Sequence, residues 1–401
     1  MEIYLVGGAV RDTLLGLPVK DRDWVVVGAS PQQLITQGYT PVGKDFPVFL
    51  HPVSREEYAL ARTERNTAPG YKGFAIRAAP DVTLEQDLAR RDLTINAMAV
   101  SQQQLDAAGN FDPEQVQLDD PFRGRRDLQL RQLRHVTDAF QEDPVRILRV
   151  ARFAARFVDF RVADETGALM RRMVVNGEVD ALVAERVWQE LSRGLMEPAP
   201  SRLLAVLGDC GALAHLLPEW IAPRRQAADT PPELAHRLDL AAHWQAPLTV
   251  RYAIASLFMA DDNARNRVTA RLRVPHDCRD LALLAARERA AVNHSVSFDA
   301  PSLMQVLVRC DALRKPARFA ELLQVCAVMA HAHADDNPAG YAPRTRLMAA
   351  LAAAQAVVTD AVAYRVMASG LSGPDVGAAI HAARVQAVAS VSSDPNASSA
   401  S

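Results

Sequence analysis

Over the first hundred residues the apolar positions come in short runs separated by turn-forming residues. Ile3-Tyr4-Leu5-Val6 is one such run, closed by Gly7-Gly8. Asp23-Trp24-Val25-Val26-Val27 is another, rich in β-branched side chains that suit a pleated strand. Residues 46–50 and 57–62 read as further strands. Ser30-Pro31-Gln32-Gln33 carries the marks of a helix start: a serine cap, proline at the first helical position and glutamine three residues after the cap. Residues 66–73, with Pro69, Gly70 and Gly73, read as a loop.

Beyond about residue 130 glycine and proline thin out, and Ala, Leu and Arg recur at three- and four-residue steps. That spacing predicts helices over 144–157, 184–196, 201–210, 249–258, 279–291, 316–331, 341–363 and 373–388. No fixed-period repeat is present. Residues 390–401, rich in Ser, Ala and Asn without periodicity, predict a disordered tail. The fold class expected is α+β: a small mixed β-sheet with flanking helices, followed by a long all-helical body.

At 401 residues, two or more domains are expected. A hydrophobic fraction of 49% and a charged fraction of 23% fit a soluble globular protein. No basic segment precedes an apolar stretch at the start, and no apolar run reaches the roughly 18 residues of a membrane span. These features imply a cytoplasmic protein. The four cysteines lack any Cys-x-x-Cys spacing, which suggests free thiols rather than a zinc site or disulfides. A net charge of −2 argues against a protein that coats nucleic acid by bulk charge. Residues 122–156 nevertheless hold nine arginines against four acids, a local patch suited to a polyanion.

Four short motifs carry candidate chemistry. Asp21-x-Asp23 places two carboxylates on one face if both sit on a strand, where they can share hard divalent cations; standing alone, such a pair is more often a solvated turn. Gly7-Gly8 lets the backbone approach a phosphate, with Arg11 one turn into the following helix; alone, it is more often a structural tight turn. Arg90 and Arg91 point in different directions in either helix or strand, so only one can meet a triphosphate. Asp92 can accept a bond from a ribose hydroxyl, and the plainer alternative is a surface cluster with Asp87. At about 100° per residue, Arg146, Arg149, Arg152 and Arg156 share a stripe about 120° wide on the helix that Asp143 caps. Either that stripe is a solvated face, or Asp143 accepts and Arg146 donates as a stand-in for a Watson–Crick partner. Together the motifs are what moving a nucleotide from a triphosphate onto an acceptor requires.

In this order and spacing the motifs closely resemble those of the class II tRNA nucleotidyltransferases, the bacterial CCA-adding enzymes of the DNA polymerase β superfamily. The likeness covers the first 160 or so residues, from Ile3-Tyr4-Leu5-Val6-Gly7-Gly8-Ala9-Val10-Arg11-Asp12 through residues 43–50, 58–65 and 127–136 to Glu142-Asp143-Pro144-Val145-Arg146-Ile147-Leu148-Arg149. It implies a catalytic head over 1–135, a base-reading neck over 136–200, a tRNA-binding helical body and tail over 201–389, and a disordered end over 390–401. The implied reaction adds C, C and A to the tRNA 3′ end from CTP and ATP, with Mg²⁺ and release of pyrophosphate. By the same resemblance Asp21 and Asp23 are the catalytic metal ligands, and Gly8, Arg11, Arg91, Arg146 and Arg149 contact the nucleotide. Asp143 with Arg146 corresponds to the base-reading pair. The partners implied are tRNA, CTP and ATP, with no obligate protein partner.

Two departures stand out. Some relatives carry a phosphohydrolase domain with a His-Asp metal pair; here Leu257-Phe258 occupies that place, and the scattered histidines, His331 and His333 among them, lack ligand spacing. This part of the chain is expected to be a helical remnant without that chemistry. Residues 106–119 form a slightly longer segment than in those relatives. Three alternatives remain: a poly(A) polymerase, disfavoured by an uncharged Ser/Ala end; an enzyme adding only CC or only A; and a catalytically silent tRNA-binding protein, disfavoured by the intact carboxylates and arginines. Binding to the backbone and shape of the acceptor–TΨC region is expected.

Overall fold

A computed structural model describes residues 1–42, 48–66, 74–221, 232–331, 340–370 and 372–392. The motif segment 43–47, the expected loop over 67–73, His333 and the end beyond 392 lie outside the described residues. The chain forms two compact units, Met1–Thr230 and Pro231–Ser401.

The first unit opens with strand β1 (Glu2–Val6), helix α1 (Gly8–Leu14), β2 (Asp23–Val27), α2 (Pro31–Thr36), β3 (Thr40–Val42), β4 (Val48–Leu50) and β5 (Glu57–Leu60). Strands β6 (Arg62–Asn66) and β7 (Phe74–Ala78), helix α3 (Leu84–Ala89) and β8 (Ala99–Ser101) follow. Six of these strands make one mixed sheet in the order β3-β4-β5-β2-β1-β8. The β-branched run of β2 lies in its interior, antiparallel to β1 and parallel to β5, with Trp24, Val25 and Val26 buried. The predicted cap of α2 forms: Ser30 Oγ accepts from the Gln33 amide and Gln33 Oε1 from the Ser30 amide. The single strand expected over 57–62 divides. The Ala61 amide still donates to Val26 O at 2.8 Å, whereas β6 leaves to pair with β7 as a separate hairpin.

Helices then dominate: α4 (Gly124–Gln129), α5 (Val145–Arg156), α6 (Asp164–Val175), α7 (Ala184–Leu195), α8 (Pro200–Asp209) and α9 (Ala212–Leu216). A two-stranded parallel pair, β9 (Gln132–Leu133) with β10 (Arg161–Val162), ties the segment before α5 to the one after it. Helix α5 packs on α7 and α8, and even its arginine stripe is partly enclosed, with Arg146 6% and Arg152 9% exposed.

The second unit is helical throughout its described residues. It comprises α10 (Pro232–His243), α11 (Leu248–Ser256), α12 (Asp262–Leu272), α13 (His276–His294), α14 (Ala300–Arg309), α15 (Pro316–Ala330), α16 (Ala342–Gln355), α17 (Thr359–Ala368) and α18 (Gly373–Ser392). Helix α11 packs against α13 and α15, and α18 against α14, α16 and α17. The one helix expected over 341–363 is two, α16 and α17, bent by 49°. The β-branched run Val357-Val358-Thr359 crowds the preceding turn and favours that break. Contrary to the expected tail, Ser390, Val391 and Ser392 continue α18. Among the described residues no single helix is long and apolar enough to cross a membrane.

Candidate active site

A cavity of about 810 Å³ in the first unit is lined by all eight expected site residues: Gly8, Arg11, Asp21, Asp23, Arg91, Asp143, Arg146 and Arg149. Eleven arginine or lysine side chains face it against seven carboxylates, a basic concavity on a chain of net charge −2. The field there favours a polyanion.

Asp23 is the first residue of β2, but Asp21 precedes the strand, so the two do not share a strand face as the sequence suggested. The turn into β2 brings both to the cavity. Arg22 between them reaches the other way and donates to Asn110 Oδ1 at 3.0 Å, and a Cβ at Gly109 (φ +77°) would stand 3.2 Å from its Nε. The 106–119 segment thus braces the carboxylate loop from outside. Burial pushes the Asp23 carboxyl above its ordinary range; Arg91 opposes that and Asp21 adds to it. Glu57, the cross-strand partner of Asp23, also lines the cavity. Among the described residues no three His, Cys, Asp or Glu side chains close into a metal cage. A two-carboxylate set of hard oxygens fits a divalent cation that completes its shell with phosphate and water.

Gly7 takes φ +70°, a conformation that favours glycine, and a Cβ there would stand 3.0 Å from Arg91 Nη1, which would have to give way. Helix α1 is only seven residues long, which leaves phosphate attraction mainly to the surrounding cations. Arg11 is 3% exposed. It donates to Asp12 at 2.8 Å and to Asn96, and lies over the Phe153 and Phe157 rings at 5.3 and 5.2 Å. Burial lowers its pKa, and Asp12 counteracts this. Arg11 therefore joins α1 to α5 as well as lining the cavity.

Arg90 and Arg91 converge rather than diverge. Both donate to the buried carboxylate of Asp87, Arg90 to Oδ1 at 2.8 Å and Arg91 to Oδ2 at 3.1 Å, because three- and four-residue steps from α3 fall on one face. Asp92, expected as a ribose contact, already accepts from the Leu93 amide (2.8 Å), Asn96 Nδ2 (3.0 Å) and Arg149 Nε (2.7 Å). Burial alone would raise its carboxyl, but Arg149 and these donors hold it far below the usual range.

The stripe on α5 is not a solvated face. Arg146 donates to the carbonyls of Ala139 (2.7 Å) and Arg90 (2.6 Å), Arg152 to Glu190 (2.6 Å), and Arg156 to Asp12 (2.8 Å). Pro144, not Asp143, is the cap residue of α5; Asp143, one residue earlier, accepts through Oδ1 from the Val145 amide at 3.2 Å. Helix α7 supplies an opposing wall that sequence reading passed over: Arg186, Gln189, Glu190 and Arg193, at steps of three and four along one face. That spacing was the available signal.

Residues 3–134 match the family model described as the poly A polymerase head domain, and residues 159–222 match one described as a probable RNA and SrmB-binding site of polymerase A. Fold and cavity thus define a nucleotidyltransferase of that class. The chain is 54% identical to the multifunctional CCA protein of Acidovorax ebreus, over 97% of this chain and 96% of the relative. It belongs to the CCA-adding nucleotidyltransferase family. A solved CCA-adding enzyme in an apo form shares its fold with a TM-score of 0.72 at 22% identity, covering 97% and 88% of the two chains. The Thermotoga maritima CCA-adding enzyme complexed with tRNA-CCA does so with a TM-score of 0.63 at 22% identity, covering 97% and 87%.

Proposed function

We propose that this cavity adds C, C and A to the 3′ end of tRNA from CTP and ATP without a nucleic-acid template, releasing pyrophosphate. The observation that carries the reading is the pairing, across one basic cavity, of Asp21 and Asp23 on the head with Asp143 and the arginines of α5. Asp21 and Asp23 hold divalent metal, for which Mg²⁺ is the ion proposed. When bound, it neutralises developing charge and eases loss of the 3′-hydroxyl proton.

The remaining work falls to side chains and backbone. The Gly7-Gly8 turn admits the triphosphate close to the main chain, and Arg91, held by Asp87, faces it. Arg149, fixed by Asp92, supplies a second cation on the α5 side. Asp143 and Arg146 read the base. Cytosine and adenine both offer an exocyclic amino donor beside a ring-nitrogen acceptor, whereas uracil and guanine offer a carbonyl beside an N–H. A carboxylate acceptor next to a guanidinium donor complements the first edge and opposes the second. Leu257 and Phe258, at the end of α11, offer no metal-ligating atom, so phosphohydrolase chemistry is not part of the proposal.

The test is incorporation on one tRNA transcript ending at the discriminator base, with Mg²⁺ and CTP, ATP or both. Two C additions with CTP, and one further A with both nucleotides, support the reading. A long A ladder with ATP alone favours the poly(A) polymerase reading that the head-domain match also allows, and an arrest at CC marks a partial enzyme.

A further inference from the structure

Arg22 stands between the two carboxylates that the proposed function assigns to metal. Asp21 and Asp23 line the cavity, whereas Arg22, Glu56 and Asn110 do not. The Arg22 guanidinium is held twice. Its Nη2 donates to Asn110 Oδ1 at 3.0 Å, and its Nη1 lies 3.8 Å from Glu56 Oε1. The same Glu56 accepts from Trp24 Nε1 at 3.1 Å and from Ser54 Oγ at 3.2 Å, so the residues on either side of Asp23 are tied to one carboxylate. The Asn110 anchor is itself stiffly built. Asp106 Oδ1 accepts from the Ala108 and Asn110 amides at 2.8 and 2.9 Å, and the Asp106 amide donates to Asn110 O at 2.9 Å, which closes a tight loop. The far end of the segment is fastened to β8, where Asp119 and Ala99 exchange two backbone bonds of 3.0 Å. Between these points the Gln117 amide donates to Gln104 Oε1 at 2.8 Å.

We infer that Arg22 is a positioning residue for the metal-binding pair: pinned between Asn110 and Glu56, it fixes the turn that presents Asp21 and Asp23 to one cation. This deepens the proposed function and rests on those two carboxylates holding metal. Asp21 precedes β2, so no strand pairing holds it opposite Asp23. On a loose turn the two carboxylates would sample many separations, and binding would have to order the backbone between them. Mg²⁺ tolerates little departure from octahedral geometry, so a turn ordered beforehand binds it more tightly. The charge of Arg22 acts in the opposite sense. A guanidinium beside the pair repels a divalent cation, and by charge alone its removal would strengthen metal binding. Positioning and charge therefore predict opposite signs for the same substitution.

The experiment titrates the full chain with Mn²⁺ alone, an ion that carboxylates also suit, and follows the free ion by electron paramagnetic resonance. Alongside, it reads the Mg²⁺ concentration for half-maximal C addition to the tRNA transcript and the melting temperature. The proteins are wild type, Arg22→Met, Arg22→Lys, Asn110→Ala and Asp21→Ala. Arg22→Met is expected to weaken Mn²⁺ binding roughly tenfold, the low end of what losing an outer partner costs a metal site, and to raise the half-maximal Mg²⁺ in step. Arg22→Lys restores part of this, because an ammonium reaches one anchor without the fork. Asn110→Ala trims an exposed side chain at constant charge and shifts both readings in the same direction as Arg22→Met. Wild-type or tighter Mn²⁺ binding in Arg22→Met overturns the inference. So does a lowered melting temperature with metal binding intact, which is what a purely structural brace would give. If Arg22→Met does not fold, Asn110→Ala decides alone by the same criteria. Asp21→Ala separates the two readings. Wild-type Mn²⁺ binding in Asp21→Ala sinks the metal-binding role of the pair itself. Lost binding there, with intact binding in the Arg22 and Asn110 variants, sinks only the role of Arg22.

Discussion

Replacing Asp92 with asparagine tests how the cavity is held together. Asp92 is 6% exposed and joins the segment after α3 to α5 through Arg149. The asparagine oxygen can keep the bonds from the Leu93 amide and Asn96 Nδ2 that Oδ1 now accepts. Its amide nitrogen then faces Arg149 Nε, donor against donor. Losing one charge-assisted bond costs about 1.5–3 kcal/mol. Leaving a fully buried charge unpaired would cost roughly 3–5 kcal/mol. Arg149 is 34% exposed and keeps Glu190 at 3.7 Å, so the lower range applies, about 2–3 kcal/mol. For a unit of this size that is a drop of roughly 5–10 °C in the melting temperature. The sign of the pH dependence follows from the depressed carboxyl. Its stabilisation is complete above the unfolded carboxylate pKa of about 3.9 and is lost as pH falls toward the lower folded value. Denaturant titrations of wild type and Asp92→Asn at neutral pH and at successively lower pH should therefore show a gap that narrows below about pH 4. A wild-type melting temperature for the variant at neutral pH, or a gap unchanged in acid, would refute the reasoning.

Other expectations follow from the same geometry. Asp21→Ala should abolish nucleotide incorporation while tRNA affinity, read by gel shift, stays near wild type; unchanged incorporation would remove Asp21 from the metal site. Gly7→Ala should destabilise the fold by about 1–2 kcal/mol, because a side chain is strained at φ +70°, and should raise KM for both nucleotides by displacing Arg91. Chemical denaturation and steady-state kinetics check both parts, and an unaltered KM would show that Arg91 does not face the triphosphate. Affinity for tRNA should fall by at least about tenfold between roughly 50 and 200 mM salt, through release of counterions from the phosphates, and a flat titration would contradict backbone recognition.

The strand-then-helix layout and the eight cavity residues were legible because their signals are local. β-branched runs, a Ser-Pro-x-Gln start and a glycine pair act within one turn or strand of themselves. Capping of α2 and the long helices α5, α7, α8 and α15 came out within a few residues of expectation. Helices α6, α10, α12 and α14 were passed over, although α14 carries local signals: Asp299 caps it by accepting from the Ser302 amide at 3.0 Å, and Pro301 sits in its first turn. The break between α16 and α17 was also missed, because three β-branched residues weaken a helix without the punctuation of glycine or proline.

Sequence alone thus determined which chemical groups the chain brings: two carboxylates beside a buried strand, a glycine turn, a capped arginine helix, and the family these mark. Tertiary structure decided what each group touches. Arg90 and Arg91 share Asp87, the α5 arginines pair with Asp92, Glu190 and Asp12, and Asp143 meets Arg186 from 43 residues away. Those pairings depend on which helix faces which across the cavity. Long-range packing sets that arrangement, and no local spacing encodes it.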